Sequence, residues 1–176
     1  MQLMKRYGVL NKQAGLGMTE ILVALLVLAI GVLGYAGLQL SALKKSEDAN
    51  NRSEATLIAQ DALERIQAND GSLATYTSAT WPTSTIVPGA DAPPADCVGA
   101  AKSCSGADMA SWDIKQLAWS AGNQLPNGMV DIRDCNGSSM VCVIVSWGEQ
   151  KPEDCLTSDG VSTAEDSNCV VMEVSR

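Results

Sequence analysis

The chain has 176 residues, 46% hydrophobic but only 4% aromatic, with no phenylalanine, no histidine and a formal net charge of −8. That length suits one globular domain plus an appendage, and an acidic balance argues for a soluble acidic surface and against nucleic acid as a partner. With no histidine and no recognisable nucleophile motif, the chain reads as a non-catalytic protein without a cofactor.

The first fifteen residues, Met1 to Gly15, carry Lys5, Arg6 and Lys12 and no acid. Beyond them, Ile21 to Leu38 is free of charge and the uncharged run continues to Leu43, enough helix to cross roughly 30 Å of hydrocarbon. Counting positive charge predicts a cytoplasmic N-terminus and an exported remainder. Glu20 stands at the lip of this run, where a carboxylate taken into the bilayer costs at least ~3 kcal/mol unless it finds a partner. Gly31, Gly34 and Gly37 lie at a spacing of three, which suits close helix contacts or local unwinding, or ordinary glycine tolerance in a membrane helix.

Proline is absent between Met18 and Asp70. From Lys44 onward Ala55, Ile58, Ala59, Ala62, Leu63 and Ile66 form an apolar stripe at helical spacing, with Glu47, Asp48, Arg52, Glu54, Asp61, Glu64 and Arg65 opposite. The apolar and amphipathic runs therefore predict one helix from Leu16 to Asn69, stopped by Asn69, Asp70 and Gly71. Residues 71–107, rich in Ser, Thr, Ala, Gly and Pro, predict a long loop with one short strand at Thr83 to Val87. Asp108 is the expected N-cap of a helix to about Gly122, with Ala110, Ile114, Leu117, Ala118 and Ala121 on one face. Trp112 and Trp119 on that helix are expected in the core.

Strand patterns follow at Met129 to Arg133, Met140 to Trp147 and Cys169 to Val174, with the turn "CNGSS" between the first two. Asn136 to Ser138 matches a glycosylation sequon, which turn chemistry explains better. The expected architecture is α+β: a long N-terminal helical spine packed on one face of a small antiparallel sheet of three or four strands. The expected divisions are 1–15, 16–43, 44–70 and a head over 71–176.

Cys97, Cys104, Cys135, Cys142, Cys155 and Cys169 all lie beyond the apolar run. Their even number and placement point to disulfides in an oxidising compartment, and no compact metal-binding spacing such as C-x2-C occurs. Six cysteines admit 15 pairings; Cys97 with Cys104 and Cys155 with Cys169 close short loops, which leaves Cys135 with Cys142 across the predicted turn.

A basic leader ending in Gly15, a hydrophobic Leu16, and Glu20 four residues later at the head of an apolar helix together resemble the type IV pilin superfamily. Within it, "MTEILVALLVLAIGVLG" followed by "AQDALERIQAN" looks like the PilV group of minor pilins. Two departures stand out: Leu16 replaces the phenylalanine of many pilins, and glycines replace a helix-bending proline. Gly17 also offers a second cut, which would put Glu20 third rather than fifth in the mature chain.

The resemblance implies cleavage between Gly15 and Leu16 by an inner-membrane prepilin peptidase and methylation of the Leu16 amine. It assigns Glu20 to subunit assembly, paired either with a neighbour's N-terminal amine or with the chain's own. It further implies an inner-membrane, single-pass precursor with a periplasmic head, later part of an extracellular pilus. The implied partners are other minor pilins, the major pilin, the assembly machinery and, before assembly, lipid. A type II secretion minor pseudopilin or a non-polymerising single-pass periplasmic protein are the alternatives.

Overall fold

The computed structural model describes residues 15, 17–81, 97–99, 102–158, 160–162, 164 and 167–175. The expected strand at Thr83 to Val87, the leader up to Ala14, and Leu16 lie outside the described residues. The chain divides after Lys45 into two compact units, Met1–Lys45 and Ser46–Arg176.

Helix α1 runs Met18–Ala68. Its three interior glycines each weaken a helix by ~1 kcal/mol relative to alanine, but no proline interrupts the backbone ladder, and long aliphatic side chains surround them. The stop comes where Asn69 leaves helical geometry, at φ −132° and ψ 46°, while its N–H still reaches the Arg65 carbonyl at 3.1 Å. Ala55, Ile58, Ala59, Ala62 and Ile66 of the stripe are buried, while Leu63 is half-buried at its margin.

In the second unit, β1 (Met129–Asp134), β2 (Val141–Ser146) and β5 (Cys169–Val174) form an antiparallel sheet in the order β1-β2-β5. The register stacks Val130, Val145 and Val170 in one row and Ile132, Val143 and Met172 in the next. This face shares a core with the α1 stripe, Tyr76, Trp81 and the apolar face of α3 (Gly106–Gln124). Side chains alternate along a strand, so the opposite face presents Ile144 and Val171, Cys142, and Cys169. It packs against Cys135, Cys155 and Leu156. Strand β2 is buried throughout for that reason. The fold is α+β, a long N-terminal helix with a small three-stranded antiparallel sheet.

Three local expectations are corrected. The stretch after Gly71 is not all loop: a 3-10 turn at Asp70–Ser72 leads into α2 (Leu73–Ser78), which places Tyr76 fully inside and is followed by buried Trp81. Their apolar area outweighs the loop-like composition around them. Asp108 is not the N-cap of α3; Ser105 is, in a capping box where Ser105 Oγ accepts from Asp108 N–H at 3.2 Å and the Ser105 N–H donates to Asp108 Oδ2 at 3.0 Å. Trp112 and Trp119 are half-buried rather than core. A short hairpin, β3 (Leu156–Thr157) with β4 (Gly160–Val161), follows the turn Pro152–Cys155 that covers the second sheet face.

Gly128 marks the tightest join, between α3 and β1. A Cβ there would lie 2.1 Å from the Ala121 carbonyl oxygen, so the chain can turn into the sheet only without a side chain at this position.

Candidate functional site

The first unit presents an unburied apolar surface. Its helix contains an 18-residue window of mean hydropathy 2.6, none of it buried, with Leu33 73% and Leu38 72% exposed. Each such side chain gains ~1.5–3 kcal/mol when removed from water, so this face calls for lipid or other helices. By length and composition the segment can cross a membrane.

At its start the Gly17 carbonyl accepts from the N–H groups of Glu20 at 2.9 Å and Ile21 at 3.3 Å, which forms the first turn. The Glu20 carboxylate is exposed there, at the positive end of the helix macrodipole. Gly15 is exposed and precedes the helix. A Cβ added at Gly31, Gly34 or Gly37 would meet no atom within 4 Å. Nothing else among the described residues of this chain requires glycine at those positions, and any packing reason for them lies with what surrounds the helix.

The second unit is held by a polar cluster that ties three helices together. Asp113, 3% exposed, accepts from Arg65 Nη1 at 2.7 Å and from the Tyr76 hydroxyl at 2.5 Å. Arg65 Nε also donates to Asp61 at 2.9 Å, and the guanidinium stacks 5.4 Å from the Trp112 ring centre. Arg65 was expected on the solvent side of α1; its long stem lets the charge reach across to α3 instead. Burial opposes its charge, but the bonds to Asp61 and Asp113 outweigh that and its pKa is raised. Burial, then the bond to Asp113, pushes the Tyr76 phenol well above its usual range. Asn69 Nδ2 donates to the Gly106 carbonyl at 2.8 Å, joining the end of α1 to the start of α3.

Farther along, Arg52 donates to the Ser167 carbonyl at 3.0 Å and lies 5.5 Å from the Trp147 ring centre. Cys97 is bonded to Cys104, Cys135 to Cys142 and Cys155 to Cys169. Glu173 lies beside the Cys135 and Cys142 sulfurs, but sulfurs joined to each other are not thiolates and make a poor metal site.

Residues 37–115 match the family model described as Tt1218-like, type IV pilin Tt1218. This match spans less than half of the chain and supports the type IV pilin superfamily. The matched region begins at Gly37, beyond the leader and Glu20, so the N-terminal motif and the family match are separate lines of evidence. No curated protein and no solved structure matches the chain. Pilins are structural subunits of a fibre, and the apolar N-terminal helix of this chain fits membrane anchoring and assembly into a pilus.

Sequence reading missed Asp113, Tyr76 and Arg65 as a cluster. The available signal was Asp113 itself: three residues after Ala110 and four before Leu117, it falls on the buried face of α3. A carboxylate there requires a cation or donors to meet it.

Proposed function

We propose that this pilin is a minor subunit of PilV type in a type IV pilus. It joins other minor pilins in an inner-membrane priming complex, moves with them to the pilus tip, and there influences assembly, adhesion and twitching motility. The observation that carries the reading is an apolar helix surface, none of it buried in the 18-residue window, headed by a single carboxylate at Glu20.

In this reading residues 1–15 are a leader, 16–43 the membrane and fibre-core segment, 44–70 the amphipathic part of the helix, and 71–176 the periplasmic head. Prepilin peptidase separates Gly15 from Leu16 on the cytoplasmic face and methylates the new amine. Glu20 pairs with an N-terminal amine when helices bundle, because a buried carboxylate without a cation is expensive and a matched pair is not. Gly31, Gly34 and Gly37 give the helix local flexibility or close contacts. The six cysteines stabilise the head in an oxidising compartment.

Mass spectrometry of the mature N-terminus tests this: a methylated Leu16 is expected, and an intact Met1 on membrane-resident protein refutes it. Deletion of the gene should remove or alter surface pili; a block in exoprotein release with normal pili would assign the chain to a type II secretion pseudopilus.

A further inference from the structure

A cavity of about 320 Å³ lies beside the Cys97–Cys104 bridge and the first turns of α3. Asp108, Ser111, Trp112 and Lys115 line it. Positions 108, 112 and 115 share one helix face, and helical side chains lean toward the N-terminus, which carries the Trp112 ring over the turn that holds Asp108. The pocket therefore combines one half-buried aromatic ring with a carboxylate, an ammonium group and the Ser111 hydroxyl, which donates to the Ala107 carbonyl at 2.9 Å and offers a ligand its acceptor side.

Two features prepare these groups for a ligand. Arg65 stacks on Trp112 at 5.4 Å and is itself fixed by Asp61 and Asp113, so little ring freedom remains to be lost on binding. Asp108 uses Oδ2 for both Ser105 bonds, so the Oδ1 lone pairs are not spent on the helix cap. The Ser105 bonds, side chain first and backbone second, hold the Asp108 pKa low and keep the acceptor ionised. A volume near 320 Å³ is at the small end of ligand sites, and the chain's net charge of −8 disfavours anions.

We propose that this pocket binds one ring of a neutral saccharide, its C–H face on Trp112 and its hydroxyls on Asp108, Ser111 and Lys115. A saccharide presents an apolar ring face and a belt of hydroxyls together, which is the combination of partners that the pocket offers. Binding needs only the head, although its use in attachment rests on the fibre reading above. Failure of one is therefore separable from failure of the other.

The test is titration of detergent-solubilised full-length protein with cellotriose and with triacetylchitotriose, followed by tryptophan fluorescence and saturation-transfer NMR. Binding of at least one probe is expected, weakened about tenfold or more by Trp112→Leu and by Ser111→Gln, which fills the pocket from an exposed position without touching the Arg65 cluster. Trp119→Leu should leave it unchanged. No binding of either probe at about 10 mM, or binding that survives both pocket variants, overturns the proposal. Fibre incorporation of the same variants, measured separately, reports on the pilus reading alone.

Discussion

Asp113 is the residue whose removal should damage the second unit most for the fewest atoms lost. Asp113→Ala deletes the acceptor of two bonds, from Arg65 at 2.7 Å and from Tyr76 at 2.5 Å. The Tyr76 hydroxyl, on a residue with no exposed surface, then has no strong acceptor, and an orphaned buried donor costs ~1–3 kcal/mol. Arg65 loses its inner carboxylate. Breaking a buried pair costs ~3–5 kcal/mol when the remaining charge is stranded, but the Arg65 side chain is 24% exposed and keeps Asp61 at 2.9 Å. The lower part of that range therefore applies, ~3 kcal/mol, and with the orphaned hydroxyl the expected total for Asp113→Ala is ~4–6 kcal/mol. Tyr76→Phe, which leaves the ion pair intact, should cost ~1–2 kcal/mol. Denaturant unfolding of the oxidised full chain in detergent, followed by tryptophan fluorescence, measures both variants and the double mutant. A coupling energy of ~1–2 kcal/mol between the two sites is expected, as for groups sharing a hydrogen bond. Additive effects, or a loss below ~1 kcal/mol for Asp113→Ala, would refute the assignment of this cluster as the link between the helices.

The Tyr76 phenol is raised in the folded state from an ordinary value of 10.0. Its contribution is therefore complete below that ordinary value and is lost as pH rises toward the folded one, so unfolding measured from pH 8 to 11 should show alkaline destabilisation that Tyr76→Phe reduces. Gly128→Ala should cost ~2–4 kcal/mol, because its Cβ has no room beside the Ala121 carbonyl. By contrast Gly71→Ala, where a Cβ meets nothing within 4 Å, should stay within ~0.5 kcal/mol in the same unfolding assay. Removing the Cys155–Cys169 bridge with a double serine variant should lower stability by ~2–4 kcal/mol, read as a fall in the unfolding midpoint under non-reducing conditions.

Periodicity made the larger elements legible. The stripe at Ala55, Ile58, Ala59, Ala62 and Ile66 repeats at the pitch of a helix, and the β-branched runs around Val130, Val143 and Val171 alternate or persist as strands do. Those patterns are local, because they follow from backbone geometry acting on neighbouring residues. Local composition misled where burial came from elsewhere: the Ser- and Thr-rich stretch around Tyr76 forms α2 because Tyr76 and Trp81 find the core that α1 and α3 provide. The N-cap of α3 is Ser105 rather than the expected Asp108: serine and aspartate both cap well, and only backbone geometry distinguishes them.

By itself the sequence determined that a basic N-terminal stretch is followed by a long apolar helix headed by a lone glutamate, then by an amphipathic helix and a cysteine-rich region with strands. Tertiary structure decided which groups meet. The sheet register aligns Ser146 with Cys169 and Cys142 with Glu173, which puts Cys142 and Cys169 on the same sheet face. Arg65 reaches Asp113 across 48 positions of chain. Such encounters depend on how whole elements pack, whereas a helical stripe depends only on residues three and four apart, so the sequence carries the second directly and the first only through the fold.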